Sequence, residues 1–265
     1  MAALDAVLTA ARAADLDAVA AALPAVVDEV DTTALAAGMT GDRVLLAGDD
    51  GGPLVALRRY GPGESSTVHA HGWAVLHLLD AESALERWAT VDGTARLRSV
   101  ERMGPGSVVA IADGEVHRQT GAPGGGVELV AFAGYDARER VDHEPDPADV
   151  ATAHLVERYV AGFDAADPAA VAGLCAPDVT LDLNVPHGRI PMAGADQLAM
   201  LLAAEEFCPG YRITRWRARP TPTGAVVELD ARFGSRGSRQ LHLLELRDGR
   251  IADLTAFCSG IWAVP

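Results

Sequence analysis

The chain contains no lysine, and its basic residues are few. All 22 of them are arginine, against 37 acidic residues, which gives a formal net charge of -15. This excess of negative charge disfavours nucleic acid and anionic membrane partners, because both are bound through basic patches that displace counterions. The chain also has no apolar run as long as a membrane span, and its first residues show no basic region followed by an apolar core. We therefore expect a soluble, cytoplasmic protein.

Cysteine is almost as scarce. Cys175, Cys208 and Cys258 are odd in number, lie in the second half of the chain and form no C-x-x-C pair. This usage suits a reducing compartment better than a disulfide framework. We interpret the three cysteines as small buried hydrophobic residues.

The pattern of residues divides the chain into two domains. Residues 1–38 carry apolar residues at helical spacing and predict two or three short helices. Residues 43–132 consist of short Val- and Leu-rich runs broken by Gly and Asp-Gly turns, which is typical of an all-β barrel or sandwich. Residues 136–149 are charged and contain two prolines, so they predict a linker. We expect one domain at residues 1–140 and a second, with helices before long strands in the α+β order, at residues 150–265.

Three histidines suggest a metal site. His69 and His71 are two residues apart in a predicted strand, so both point to the same face, and His117 arrives from a later strand. The alternative is that all three are half-buried strand histidines satisfied by hydrogen bonds, and their motif spacing disfavours it. His77 lies six residues beyond His71, about 20 Å at ~3.3 Å per residue, so we exclude it as a ligand of the same ion.

These stretches resemble the two-part motif of the cupin superfamily, G-x5-H-x-H followed by G-x5-P-x-G-x2-H-x3-N. Both glycine-to-histidine intervals match. Ala112 and Gly121 stand in place of the Pro and Asn of that motif, and Val75 and Leu76 occupy the places where many cupins have a glutamate. The resemblance implies an all-β cupin barrel with N-terminal helices, holding a divalent cation through neutral imidazoles.

The first domain also resembles the cysteine dioxygenase and mercaptopropionate dioxygenase family, in the stretch from Gly41 to Gly72 and in the His117-Arg118 pair. The resemblance implies Fe(II) held by the histidines, with Ni, Zn or Mn as other candidates. It also implies O2 as co-substrate and an arginine, Arg43 here, that pairs with the substrate carboxylate. The expected product is a sulfinate.

Other residues of this domain are assigned with less support from the motif. Trp73 is interpreted as a pocket wall or a packing residue, and Tyr60 as a substrate contact or a solvent-facing strand residue. The family has a Ser-His-Tyr relay near residues 128–134, where this chain has neither Ser nor His. Tyr135 is the candidate for the tyrosine of that relay.

The second domain resembles the NTF2-like, or SnoaL-like, family in three phrases, at residues 156–167, 174–182 and 246–254. The resemblance implies an α+β curved-sheet cone, which commonly pairs through its sheet, so we expect a homodimer. His242 lies mid-strand, and with Asp182 or Asp230 it could perform acid–base catalysis inside such a cone. The alternative is that these polar residues form the wet face of a sheet.

The loop residues His187 and Arg189 are candidates for the mouth of this cone, and Trp262 is the candidate plug for one of its ends.

Three functions remain open from the sequence. The first is a non-haem iron(II) dioxygenase that oxidises a small carboxylate-bearing thiol or a related metabolite. The second adds acid–base chemistry in the second domain, giving a bifunctional enzyme of specialised metabolism. The third is a metal-binding or small-molecule-binding protein without turnover.

Overall fold

The computed structural model describes residues 2–48, 51–80, 82–121, 124–133, 140–203, 211–260 and 262–263. The chain divides into two compact units, each β-rich with fewer helical residues. The first unit comprises Met1–Ala95 and Arg102–Glu144, and the second comprises Arg96–Glu101 and Pro145–Pro265. None of the described helices is long and apolar enough to cross a membrane.

The first unit begins with helices and continues as short strands. Its elements are α1 (Ala2–Arg12), α2 (Leu16–Ala22), α3 (Ala25–Glu29), α4 (Thr32–Gly38), β1 (Arg43–Gly48), β2 (Leu54–Tyr60), β3 (His69–Ala70), β4 (Ala74–Leu78), β5 (Ser83–Val91), β6 (Thr94–Met103), β7 (Val108–Ile111), β8 (His117–Gly121), β9 (Gly126–Phe132) and β10 (Val141–Asp142). Residues 96–101 of β6 belong to the second unit. The N-terminal stretch thus forms four helices rather than two or three.

A five-stranded sheet has the order β1-β2-β9-β4-β7, and its strands β4 and β9 are buried on both faces, whereas the edge strand β1 is not. Alternate side chains of β9 show this division: Leu129 and Ala131 pack against the N-terminal helices, whereas Val130 and Phe132 join the interior core. Burial of both faces explains why these strands read as nearly continuous apolar runs. The interior face is the one that contributes to the candidate site.

A second layer of the first unit presents the histidines. β3 is paired antiparallel with β8 on one side and with β10 on the other. β10 lies within residues 136–149, so part of the predicted linker is instead an edge strand beside the H-x-H stretch. Residues 134–139 lie outside the described part of the chain.

Glycines at the start of both motif stretches are required by backbone geometry. Gly63 has φ of 64° and Gly106 has φ of 82°, a region that residues with a Cβ rarely adopt. Both residues form the turn before a strand or loop that leads to the histidines. The motif intervals are therefore set by turns that need glycine.

The second unit contains a long mixed sheet and three helices. Its elements are α5 (Pro147–Asp164), α6 (Pro168–Gly173), β11 (Cys175–Val185), β12 (Gly188–Ala193), α7 (Ala195–Ala203), β13 (Tyr211–Thr221), β14 (Gly224–Phe233), β15 (Arg236–Arg247), β16 (Arg250–Cys258) and β17 (Trp262–Ala263). Asp167 accepts a hydrogen bond from the Ala170 amide and Pro168 follows it, which fixes the start of α6.

Strands of the second unit follow the order β13-β14-β15-β16-β11-β12, antiparallel except for the β11–β16 pair. α5 packs on β13 and buries Val156, Tyr159 and Val160. Arg189 lies on β12 rather than in a loop. The side chain of Trp262 lies outside the described set, so its predicted role as a plug stays a prediction.

Candidate functional site

The three predicted histidines of the first unit converge. His69 and His117 are direct cross-strand partners on β3 and β8, and His71 follows two residues later on the same face. Their candidate ligand atoms all lie within 4.8 Å of one another. Two imidazole nitrogens on one tetrahedral ion are about 3.4 Å apart, so shifts of about 1 Å bring the rings onto a single cation.

Backbone carbonyl groups fix the orientation of all three rings. The Nδ1 atom of His69 lies 2.8 Å from the Thr67 carbonyl oxygen, and that of His117 lies 2.9 Å from the Glu115 carbonyl oxygen. The Nδ1 atom of His71 contacts the Gly72 carbonyl oxygen. Because a carbonyl oxygen only accepts, each Nδ1 carries the proton and each Nε2 keeps its lone pair. This is the tautomer that a metal ligand requires.

The histidines are neutral as well as oriented. Burial lowers the pKa of His117 to about 2 and the pKa of His69 to about 4, and it also lowers the pKa of His71. The neighbouring histidines add to the effect at His117, since charging one ring beside another is unfavourable. Such a cluster can bind a divalent metal without first losing protons.

A cavity of about 230 Å³ opens beside the cluster. Its floor is apolar, formed by the side chains of Leu76, Ile111, Val130 and Phe132. Of the described side chains on its wall, Arg43, Arg58 and Arg140 are cationic and Asp42 is the one carboxylate. The cavity therefore combines a candidate metal-binding cluster with an excess of positive charge, which suits a small anionic ligand.

Two of the three predicted substrate contacts, Arg43 and Trp73, line this cavity, whereas Tyr60 does not. Arg43 lines the cavity, with its guanidinium carbon 5.5 Å from the centre of the Phe132 ring. Trp73 also lines it and belongs at the same time to the core under the N-terminal helices, so both interpretations of this residue apply. Tyr60 does not line this cavity. It is buried behind the wall, so the expectation of a direct substrate contact is corrected. Tyr135 lies outside the described residues.

Among the residues of the cavity wall that sequence reasoning missed, three have long polar side chains. Arg58 lies on β2 two residues before Tyr60, Gln119 lies on β8 two residues after His117, and Arg140 precedes β10. Strand alternation from His117 places Gln119 on the same face, which was the available signal. Nothing in the sequence pattern separates Arg58 and Arg140 from the other arginines of the chain.

The second unit contains a larger cavity of about 470 Å³. Most of its wall is apolar, and His187, Asn184, Gln240 and His242 supply polar groups. Asp167 is the charged side chain among the described lining residues, and it caps α6. A neutral, largely apolar small molecule fits this wall.

His242 is buried in this cavity with both ring nitrogens occupied. It is 3% exposed, its Nδ1 lies 2.8 Å from the Tyr159 hydroxyl and its Nε2 lies 3.0 Å from Gln240 Oε1. The amide oxygen only accepts, so Nε2 carries the proton and Tyr159 donates to Nδ1. The ring thus acts as a hydrogen-bonding element of the wall.

The predicted pairing of His242 with an aspartate is wrong. Asp230 is bound by its cross-strand partner Arg239 at 2.7 Å, and Asp182 is bound by Arg189 at 2.6 Å. Arg239 is an odd number of residues from His242 on one strand, so the two side chains lie on opposite faces. Asp182 likewise pairs in register with Thr255, the neighbour of Ala256, which faces His242. Neither carboxylate lines the cavity.

Comparisons with known proteins assign the second unit. The model of a SnoaL-like domain matches residues 156–254. The second unit carries a SnoaL-like domain. No protein of curated function matches the chain.

Among solved structures, an NTF2-like protein of unknown function from Mesorhizobium loti is 24% identical, with 44% of this chain and 98% of that chain covered and a TM-score of 0.36. An RmlC-like cupin from Shewanella frigidimarina is 19% identical, with 38% of this chain and 84% of that chain covered and a TM-score of 0.28. At these identities and TM-scores neither structure bears on the activity.

His242 makes the stability of the SnoaL-like domain depend on pH. Burial lowers its pKa to about 4, from the ordinary value of 6.5 for histidine. Between pH 6.5 and pH 4, His242 is protonated in the unfolded chain but not in the folded chain. The free energy of unfolding is therefore unaffected by His242 above pH 6.5 and decreases as the pH falls towards 4. At pH 4.5 we expect the loss to reach roughly 2 to 3 kcal/mol.

Urea unfolding of the wild type and of His242→Gln at pH 7 and pH 4.5 measures this effect. Glutamine at position 242 does not bind a proton in this pH range. The unfolding free energy of the variant should therefore fall less between pH 7 and pH 4.5 than that of the wild type, by roughly 2 to 3 kcal/mol. Equal losses in both proteins would show that His242 does not titrate in this range.

Proposed function

We propose that the first unit is a non-haem iron(II) oxygenase that oxidises a small carboxylate-bearing thiol or a related anionic metabolite with O2. The observation that supports it is the convergence of three neutral, oriented imidazoles beside an arginine-lined cavity. The motif resemblance to thiol dioxygenases favours iron over nickel, zinc or manganese.

His69, His71 and His117 would hold the metal through Nε2. Bound iron would supply a dication with open positions for a thiolate and for O2. The residues around it have separate tasks. The carbonyl groups of Thr67, Glu115 and Gly72 hold the rings in the required tautomer.

Arginines of the wall would bind and orient the anionic group of the substrate. Arg43 can offer a guanidinium fork to a carboxylate, which fixes the orientation as well as the position of the bound molecule. Arg58 stacks its guanidinium carbon 4.2 Å from the Tyr60 ring centre, and Arg140 is held by Asp142 at 3.1 Å. These contacts hold two further positive charges beside the cavity. The apolar floor excludes water from the rest of the ligand.

An oxygen electrode tests the function directly. Protein purified without a histidine tag and loaded with Fe(II) should consume O2 when small carboxylate-bearing thiols are added. In Arg43→Leu we expect KM for the active thiol to rise roughly ten- to a hundredfold, because a hydrogen-bonded charge pair to the substrate is lost.

Arg98→Leu serves as the matched control for Arg43→Leu, since it also removes an exposed arginine and Arg98 does not line the cavity. Metal-loaded protein that takes up no O2 with any of the thiols would contradict the proposed function. A KM change of equal size in both variants would show a general charge effect rather than a contact.

The SnoaL-like domain supports a second candidate function, the binding of a neutral apolar molecule. The cavity of about 470 Å³ and its nearly uncharged wall favour this role. Saturated hydrogen bonding of His242 disfavours the acid–base chemistry expected from the sequence. If thiol-dependent O2 uptake is unchanged in His242→Gln, the SnoaL-like domain takes no part in the oxidation. Loss of O2 uptake in a variant that still retains iron would favour a bifunctional enzyme.

A further inference from the structure

A buried group of three polar side chains lies behind the metal cavity. Glu128 on β9 and Tyr60 on β2 come from one sheet, and Gln119 on β8 comes from the facing layer. Gln119 is the member that lines the cavity. Glu128 is 1% exposed and Gln119 is 4% exposed, so their polar atoms depend on one another for hydrogen bonds.

The contacts close a ring. The Tyr60 hydroxyl oxygen lies 2.9 Å from Glu128 Oε1 and also contacts Gln119 Oε1, and Gln119 Nε2 lies 2.9 Å from Glu128 Oε2. The ring therefore has three links between heavy atoms. Each link needs one hydrogen between its two atoms.

Counting hydrogens shows what the ring requires. If Glu128 were ionised, the single Tyr60 proton could serve only one of its two oxygen neighbours, and the other would face the phenol oxygen with no hydrogen between them. With a proton on Glu128, Glu128 donates to Tyr60, Tyr60 donates to Gln119 Oε1, and Gln119 Nε2 donates to Glu128. All three links are then satisfied.

The same result holds if the amide of Gln119 is turned round. Gln119 Nε2 would then donate to Tyr60 and Tyr60 would donate to Glu128 Oε1. Gln119 Oε1 would face Glu128 Oε2, and that contact again needs a proton on the carboxyl group. The requirement for a neutral Glu128 thus does not depend on the assignment of the amide.

We propose that Glu128 carries a proton in the folded protein and, with Tyr60, holds Gln119 so that its remaining amide N–H can bind an anionic ligand in the metal cavity. One hydrogen of the Gln119 amide is used inside the ring, and the second is left for the cavity side. Gln119 is the ligand contact, and Tyr60 and Glu128 are positioning residues. The identity of that ligand as a thiol carboxylate rests on the proposed function.

Surrounding charges are consistent with this assignment. The charged and titratable described groups that face Glu128 are Tyr60, Arg58, whose Nη1 lies 3.6 Å from Glu128 Oε1, and Arg43 on β1. Burial raises the pKa of Glu128 despite the two arginines, and burial also raises the pKa of Tyr60 well above its ordinary value. A neutral Glu128 also leaves the charge of Arg58 uncompensated at that link, which favours an anion in the cavity.

Isosteric variants test the proton and the positioning separately. Glutamine at position 128 has a donor group on one side and an acceptor oxygen on the other, as a protonated glutamate has, so Glu128→Gln should keep the ring and bind ligand within about twofold of the wild type. Gln119→Leu removes the contact and should weaken binding roughly tenfold, and Tyr60→Phe, which opens the ring, should weaken it by a smaller factor. The probe is 3-mercaptopropionate, titrated by calorimetry into Zn(II)-loaded protein so that no turnover occurs.

Infrared spectroscopy provides the readout that is independent of any ligand. At neutral pH the wild type should show the band of a protonated carboxylic acid, and this band should be missing from Glu128→Gln. Absence of the band in the wild type overturns the proposal, as does unchanged thiol binding in Gln119→Leu or a large change in Glu128→Gln in either direction. A wild type that shows the band but binds no thiol would instead refute the substrate class, while the hydrogen-bonded ring stands.

Discussion

Replacing His117 by alanine is expected to abolish metal retention by the first unit. Removal of a hydrogen-bonding partner behind a ligand already costs about 10- to 100-fold in metal affinity, so loss of the ligand itself should cost more than about a hundredfold. Metal content after dialysis against a chelator, measured by mass spectrometry, gives the result. The wild type should keep close to one equivalent per chain under conditions in which His117→Ala keeps none.

His77→Ala is the control for this experiment. His77 is buried, at 8% exposed against 3% for His117, and lies on β4 in the other sheet of the same unit, outside the cluster. It tests whether any buried histidine of the unit affects metal content through stability. Equal metal loss in His77→Ala and His117→Ala would show that the cluster does not hold the ion, and the proposed oxygenase would lose its basis.

The histidine cluster could be predicted because it depends on local rules. Two residues in a strand share a face, and each motif glycine adopts a positive φ that fixes the turn before its histidine. Arg58 could not be assigned in this way, and for Gln119 strand alternation indicates only the face of β8 on which it lies, not its partners. Their meeting with Tyr60 and Glu128 depends on how β2, β9 and β8 face each other across the interior, which is long-range information.

In the second unit, strand alternation alone led to a wrong prediction, because the pairing of the strands was not known from the sequence. Asp182, Asp230 and His242 all lie on strands with alternating polar residues, and the sequence does not say which face closes over the cavity. Cross-strand pairing decides it: Asp230 is opposite Arg239 and His242 is opposite Val227 and Ala256. The aspartates therefore face arginines, whereas His242 faces the apolar interior. The SnoaL-like fold could be recognised from short sequence motifs, but the polar residues that line its cavity could not be identified from them.

Replacing Glu86 by alanine is expected to cost about 3 to 5 kcal/mol of unfolding free energy in the first unit. Glu86 on β5 is 1% exposed and accepts two hydrogen bonds from its cross-strand partner Arg118, at 2.8 and 2.6 Å. It also accepts one from the Trp88 indole at 3.0 Å. Truncation would leave a nearly buried guanidinium with no counter-charge, and that uncompensated charge accounts for most of the cost.

Glu82→Ala is the control, because Glu82 also pairs with an arginine, Arg102, but its side chain is 47% exposed. Such a pair contributes about 0 to 1 kcal/mol, so urea unfolding should separate the two variants clearly. Arg118 adjoins His117 on β8, and Gln119 follows, so the Glu86–Arg118 pair anchors the strand that carries one proposed metal ligand and the proposed ligand contact. Because metal binds only the folded unit, saturating metal should restore part of the stability lost in Glu86→Ala. Equal stability of Glu86→Ala and Glu82→Ala would mean that Arg118 reaches water when its partner is removed, and that the pair does not anchor β8.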